Sequence, residues 1–425
     1  MVIQESTIER RITIMANNEG ELKPRVVIGK VRARVDELKQ IKTDKDNGKI
    51  FCIPFENYPK LTQSVPGVVP GMIQMVTAGS GVGKTQVTKA LYVREPLEYA
   101  LKNNIDLKIF YFALEESKQE FIDTMICNFI SARCNIQMDL LTLQGYREKS
   151  LDISKINLID SHIDEIEELL ASVEVIDSVY NPTGIYKYCR DHADQNGKHV
   201  YEDRDFIKTK IDASGVPYTT TEKVKVYSHY LPNNPNAVVI VVVDHMSLLT
   251  PEKDKETGVM KTQHQTMAQW STNYALKQIT KHWNWAVVNV IQQEQGSEKE
   301  QFTNRGESIQ KKTEPSLAGF ANNKEIQRDA KVVLGVYSPD RYGFEEYHAY
   351  DINRFRDCFR AVKVLKNRFG PPNKYHHFLF DGATNRFKEL PKGGEKAELA
   401  PYETKADELL GRTSKPRSKP KNFGQ

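Results

Sequence analysis

The stretch GSGVGKT at residues 79–85 sets three glycines at alternate positions ahead of Lys84 and Thr85. Glycine adopts backbone conformations closed to other residues, so consecutive N–H groups from such a run can turn inward on an anion at the start of a helix. The lysine ammonium then reaches the β and γ phosphates of a nucleotide, and the threonine hydroxyl ligates magnesium. This reading assigns Ala78, Gly79, Ser80, Gly81, Val82, Gly83, Lys84 and Thr85 to ATP or another NTP, and Thr85 also to Mg2+. The strict pattern, G-x-x-x-x-G-K-[ST], opens on glycine where this chain has Ala78. The bland alternative is a glycine turn before an ordinary helix. Against it, the apolar run MIQMVTA (72–78) leads in and a helix-compatible stretch leads out, as the motif requires.

Holding phosphate is not an activity, and four further places supply chemistry. KIFYFALEES (108–117) ends in Glu115 and Glu116, where open α/β proteins place their ligands. A carboxylate there can orient and deprotonate the water that attacks a γ phosphate, or both acids can serve only the dipole of the next helix; position alone does not separate the two. Asp244 follows seven apolar residues and can hold the magnesium shell opposite Thr85, or simply end a strand. WAVVNVIQQ (285–293) delivers Gln292 and Gln293 to the same edge, where an amide can sense the γ phosphate by donating and accepting. In VKVLKNRFGPP (362–372), Lys366 and Arg368 lie at i and i+2. They can reach a neighbouring subunit's γ phosphate, or form a solvated basic strand end.

The elements that must position these residues are legible as short apolar runs at 72–78, 107–113, 173–177, 237–244 and 285–292, with helical stretches between them. Continuous apolar strands alternating with helices predict an α/β fold with a mostly parallel sheet covered on both faces. Runs at 331–337, 360–366 and 375–381 follow closely and predict strands joined by hairpins or short loops. The spacing of Val26, Val27, Val31, Val35 and Leu38 predicts a helix within an N-terminal arm, residues 1–50. Residues 51–392 form the main domain, with a small β-rich insertion over about 197–236. Residues 393–425 are poor in large apolar side chains, end basic, and read as a flexible tail.

Composition narrows the class. With 60 Lys and Arg against 56 Asp and Glu, the net charge is +4, so a polyanion is met by a local surface and not by the whole molecule. The five cysteines are widely spaced, with no C-x-x-C pair and no zinc pattern, which reads as a reduced cytoplasmic protein. The longest purely apolar run, 237–243, is far too short to cross a bilayer, so no membrane partner is expected.

In this order the motifs resemble the RecA-like motor domain of the hexameric replicative DNA helicases of the DnaB family, phage-type and without a primase domain. The resemblance covers roughly residues 55–392. VTAGSGVGKT resembles the family's nucleotide loop, whose opening position is commonly alanine or serine. FALEES resembles its second motif and implies Glu115, not Glu116, as catalytic base. VVDHMSLL resembles the Walker B stretch and implies Asp244 as the magnesium ligand. NVIQQ resembles the sensor strand and is best matched by Gln293. PSLAGFANNKEIQRDAKVVLGVY resembles the approach to the later motor strand, with Gln327, Asp329 and Ala330 in step. LKNRFGP resembles the arginine-finger motif, with Arg368 the finger in trans and Lys366 its partner.

The resemblance implies an ATP-dependent ring helicase that translocates on single-stranded DNA, with primase, polymerase or single-strand-binding proteins as partners, in the cytoplasm or a phage host's cytoplasm. A RecA-like recombinase or clock-type regulatory ATPase, binding DNA or protein without unwinding, is the alternative. Asn323 and Lys324 stand where the family usually carries Ser-Gly. Loops at 250–263 and 294–315 carry Lys253, Lys255, Lys261, Lys299, Arg305, Lys311 and Lys312 among acids, as either a phosphate track or solvated loops.

Overall fold

A computed structural model of the chain describes residues 24–46, 49, 51–146, 152–211, 215, 217–293, 313–320 and 324–412. They fall into two units, 1–51 and 52–425. In the first, α1 (Pro24–Asp46) presents Val31, Val35 and Leu38 to solvent along one line. Among the described residues no helix is long and apolar enough to cross a membrane.

The second unit is built on β1 (Ile73–Ala78), β2 (Leu107–Ala113), β3 (Val173–Ile176), β6 (Val238–Asp244), β7 (Ala286–Gln292), β8 (Val332–Tyr337), β11 (Phe359–Asn367), β12 (Tyr375–Asp381) and β13 (Arg386–Glu389). They form one sheet in the order β13-β12-β11-β8-β1-β7-β6-β2-β3. The six strands from β8 to β3 run parallel, while β11, β12 and β13 extend the sheet antiparallel. This is the mostly parallel α/β sheet expected. β11, β12 and β13 are joined by short loops as their crowding in sequence predicts, whereas residues 338–358, with elements of their own, separate β8 from β11.

Helices cover both faces because successive strand side chains point to opposite sides. On β2, Phe110 and Phe112 meet Tyr188 of one helix, α4 (Pro182–Gln195), whereas Tyr111 between them meets Phe121 of another, α3 (Lys118–Cys134). With α4 lie α5 (263–283) and α6 (Lys324–Asp329), which bury Trp270, Ala275, Ile279 and Ile326 against β1, β6 and β7. The helix leaving the glycine loop, α2 (84–103), begins at Lys84 and carries the buried Tyr92 and Leu97.

The β-rich insertion expected over about 197–236 is present, whereas the C-terminal stretch differs from its sequence reading. The insertion is a single long ribbon, β4 (Gly197–Ile211) against β5 (Pro217–Pro232), about 50 Å long at roughly 3.4 Å per residue. Its base is anchored by Tyr230 Oη on the Ala193 carbonyl (2.9 Å) and by Tyr227 stacked on His282, while Phe206 and Ile207 farther out are exposed. The stretch read as the start of a loose tail instead forms α7 (Lys396–Leu409). Leu399 and Ala406 are buried there, and Arg354 pairs with Glu403 (2.9 Å) and Asp407 (3.2 Å). Few apolar residues suffice because ion pairs share the docking, a pattern that hydrophobic periodicity cannot register. The tail lysines and arginines beyond 412 lie outside the described residues. A short pair, β9 (Glu346–Tyr347) and β10 (Tyr350–Asp351), completes the strands.

Candidate nucleotide site

The phosphate loop leaves the centre of the sheet. Strand β1 lies between β7 and β8, with Ala78 in register with Gln292 on one side and Val336 on the other. Gly81 and Gly83 take φ of 67° and 106°, the left-handed region that favours glycine. Gly83 caps α2, so the loop ends at a helix N-terminus, with Lys84 buried at its first position.

Three titratable groups converge beside it. Lys84 Nζ stands 3.8 Å from Glu115 Oε2, and His245 Nε2 stands 3.5 Å from the same oxygen. The register Ala113↔Asp244 between β2 and β6 brings the two strand tips side by side. Burial and the Lys84 charge hold His245 below the usual histidine range.

Asp244 is buried. Tyr111 Oη donates to its Oδ2 at 2.7 Å, and the Thr85 side chain lies close by. Burial pushes this carboxyl above its ordinary range, and the Tyr111 and Thr85 hydroxyls work in the opposite sense. Its other oxygen, Oδ1, is buried with no hydrogen-bond partner. An orphan carboxylate oxygen next to a threonine hydroxyl fits a divalent cation. Among the described residues no group of three or more His, Cys, Asp or Glu side chains is placed to hold a metal alone. A cation here would take most of its shell from phosphate and water, as magnesium does.

The neighbouring Glu116 has a different fate. It forms a buried ion pair with Lys89 at 2.6 Å, and burial raises its carboxyl although Lys89 opposes the shift. Neither acid sits in the first turn of α3. Ser117 caps that helix and Glu120 closes the capping box, so dipole stabilisation falls to Glu120.

Gln293 follows β7 and ties two segments together. Its backbone N–H donates to the Ala78 carbonyl (3.0 Å), and its side-chain amide donates to the Ser316 carbonyl (3.1 Å). A Cβ at Gly319 would come within 2.8 Å of Gln293 Oε1, so that segment packs directly on the amide.

Lys366 and Arg368 lie elsewhere. Strand β11 runs antiparallel to β8, with Val362 opposite Val336 and Asn367 opposite Val332. Both cations therefore sit where the parallel strands begin, about 13 Å along the sheet from the loop's edge at roughly 3.3 Å per residue. Lys366 Nζ donates to the Gln327 and Arg328 carbonyls at the end of α6, and burial and Arg368 lower its ordinary range. Arg368 is exposed and has no carboxylate partner among the described residues. The structure thus gathers the loop, Glu115, Asp244 and Gln293 at one edge and leaves Lys366 and Arg368 at the other.

Two residues at the site were missed from sequence: His245, adjacent to the strand-tip acid, and Arg360, whose Nε donates to the Val82 carbonyl at 2.8 Å. His245 had a signal, a titratable residue next to Asp244. Arg360 had none, being 278 residues from Val82. Of the loop lysines, Lys253 and Lys255 are exposed and Lys261 faces Asp254 (3.7 Å). Lys299, Arg305, Lys311 and Lys312 lie outside the described residues.

A glycine loop leaving the central strand, a buried acid at the tip of the next strand but one and an antiparallel extension define a RecA-like α/β fold. Residues 192–389 match the family model of the DnaB-like helicase C-terminal domain. Among solved structures, the chain is similar to the ATPase domain of a phage helicase, with 18% identity, a TM-score of 0.56 and coverage of 85% of this chain and 98% of that one. It is also similar to a DnaB-like replicative helicase described with its interactions with primase, with 16% identity, a TM-score of 0.56 and coverage of 91% and 75%. A comparison with curated proteins found no match. Residues 192–389 are thus similar to the C-terminal domain of the DnaB-like helicases, and the solved structures share the fold of the chain.

Proposed function

We propose that the chain is the motor subunit of a replicative helicase, a homo-hexameric ring that hydrolyses ATP between subunits, translocates on single-stranded DNA and unwinds duplex. The observation that carries this is the division of the site. The binding half is assembled within one subunit, while Lys366 and Arg368 lie at the opposite edge of the sheet, out of reach of their own loop.

In this reading the loop N–H groups and Lys84 hold the phosphates, and Thr85 and Asp244 hold Mg2+. The metal, when bound, offsets charge on the β and γ phosphates. Glu115 takes the proton of the attacking water. Nucleotide competes for the Lys84 ammonium and so frees Glu115. Arg368 of the next subunit, with Lys366 beside it, meets the charge that develops on the γ phosphate. Gln293 connects that event to the 294–315 segment, which with the 250–263 loop grips the DNA backbone. Helix α1 docks on an adjacent subunit through Val31, Val35 and Leu38. Primase, polymerase or a single-strand-binding protein is the further partner, in the cytoplasm or a phage host's cytoplasm.

The test is forked-duplex unwinding, with ATP turnover measured with and without single-stranded DNA. Assembled rings should unwind, and turnover should rise with DNA. Turnover without unwinding would leave a recombinase-like or clock-type ATPase. Mixing Arg368→Ala with Glu115→Gln subunits should recover turnover that each uniform ring lacks; no recovery would sink the shared site.

A further inference from the structure

Strand β11 carries the proposed finger at one end and, at the other, an arginine with no assigned role. Arg360 is 3% exposed and its planar face lies 4.7 Å from the Phe380 ring centre. Nη1 donates to the Asp357 carbonyl (2.7 Å), the Phe359 carbonyl (2.9 Å) and Ser338 Oγ (3.3 Å), and Nη2 to Asp357 Oδ1 (2.8 Å). Those contacts close the turn into β11. The remaining donor, Nε, goes across the sheet edge to the Val82 carbonyl of the phosphate loop.

Val82 lies between Gly81 and Gly83, the two left-handed residues of the loop. A peptide unit is planar and trans, so its C=O and N–H point in opposite directions. Fixing the Val82 oxygen outward therefore aims the Gly83 N–H inward, at the place where the loop would hold a phosphate. A donor on a carbonyl also polarises the unit and strengthens its N–H. Arg341 treats the Ser80 carbonyl in the same way and so fixes the Gly81 N–H. Glycine freedom allows these orientations; the two arginines select them.

The rest of β11 connects this grip to other parts. It is hydrogen-bonded to β8 and β12, and Lys363 at its middle pairs with Glu314 (2.8 Å) in the segment that packs near Gln293. Its register shifts between Val364 and Lys366, just before the two cations.

We propose that Arg360 is a positioning residue that aims the phosphate loop, and that through β11 it couples a subunit's own nucleotide to the finger it lends its neighbour. This rests on the reading of residues 78–85 as the nucleotide loop.

The experiment compares full-length rings of the unaltered chain, Arg360→Gln, Arg360→Lys and Arg360→Ala. It measures affinity for a fluorescent ATP analogue, then KM, kcat and the Hill coefficient of ATP turnover on single-stranded DNA. Losing an oriented, charge-assisted hydrogen bond should weaken analogue binding and raise KM about tenfold or more in Arg360→Gln. The Hill coefficient should fall toward one. Arg360→Lys, which keeps one donor, should lie between, and added methylguanidinium should restore part of the affinity of Arg360→Ala but not alter the unaltered ring. Unchanged affinity and KM in folded Arg360→Gln rings, or losses that track only the folded fraction, would overturn the role of Arg360 and leave the nucleotide site standing. Failure of the unaltered chain to bind the analogue would overturn both.

Discussion

The two edges of the sheet treat charge in opposite ways. At the phosphate edge the ionic groups are mostly buried and held: Asp244 by Tyr111, Glu116 by Lys89, Arg360 by its turn. At the other edge Arg368 is exposed, and Lys366 rests on backbone carbonyls at a helix end. Buried charges need fixed partners because desolvation is costly, so the first edge is organised before nucleotide arrives. An exposed arginine carries no such constraint and is available to a second molecule. In the proposed site one half is preorganised and the other is presented.

The sharpest break of this contrast is Arg368→Ala. In uniform rings turnover should fall about a thousandfold or more, while affinity for a fluorescent ATP analogue stays within about threefold. A collapse of affinity would place Arg368 in its own subunit's site and erase the distinction between the edges.

Glu115→Gln should come next, with turnover down about a hundredfold and binding kept. Glu116→Gln should do the reverse: turnover within about tenfold, but stability lower by about 3 kcal/mol in denaturant unfolding, because Lys89 is left buried without its counter-charge. Equal kinetic losses would mean that the two glutamates are not divided in role.

The strand joining the edges carries a pH prediction. His376 and His377 on β12 face Val362 and Ala361 of β11, and burial, with nearby cations, lowers them to about 4 and about 3. Their folded-state values lie below 6.5, so the unfolded chain binds protons first. Their stabilising effect is complete above about pH 6.5 and is lost as pH falls toward 4, by about 1.4 kcal/mol per pH unit for each histidine. Melting temperatures from about pH 7.5 to 4.5 should show this slope, and His377→Gln should flatten it.

Ala78→Gly should have the smallest effect. Ala78 is the last, fully buried residue of β1, in register with both neighbours, so its conformation is set by the sheet. ATP affinity should change by no more than about threefold, reflecting only added backbone freedom. A larger change would mean that the loop's opening residue helps to aim it.

Much of this was legible beforehand, for a local reason. Strand β6 is seven residues buried throughout, so its apolar run and the acid at its tip identify themselves. The same holds for β1 and the glycine loop. Glu115 and Glu116, by contrast, are equivalent in sequence. They part because Lys84 and Lys89, five residues apart on α2, lie over different carboxylates. Helix α7 escaped because its docking rests on Arg354, some fifty residues away.

By itself the sequence determined the inventory: a loop for phosphate, acids at strand tips, a basic pair after a late strand. Residue type and strand periodicity are short-range properties. Only the tertiary structure decided how that inventory is shared, because the reversal of β11 against β8 carries Lys366 and Arg368 away from the loop while laying Arg360 on it. No local pattern encodes which end of a strand meets a partner hundreds of residues earlier; packing of the whole sheet does.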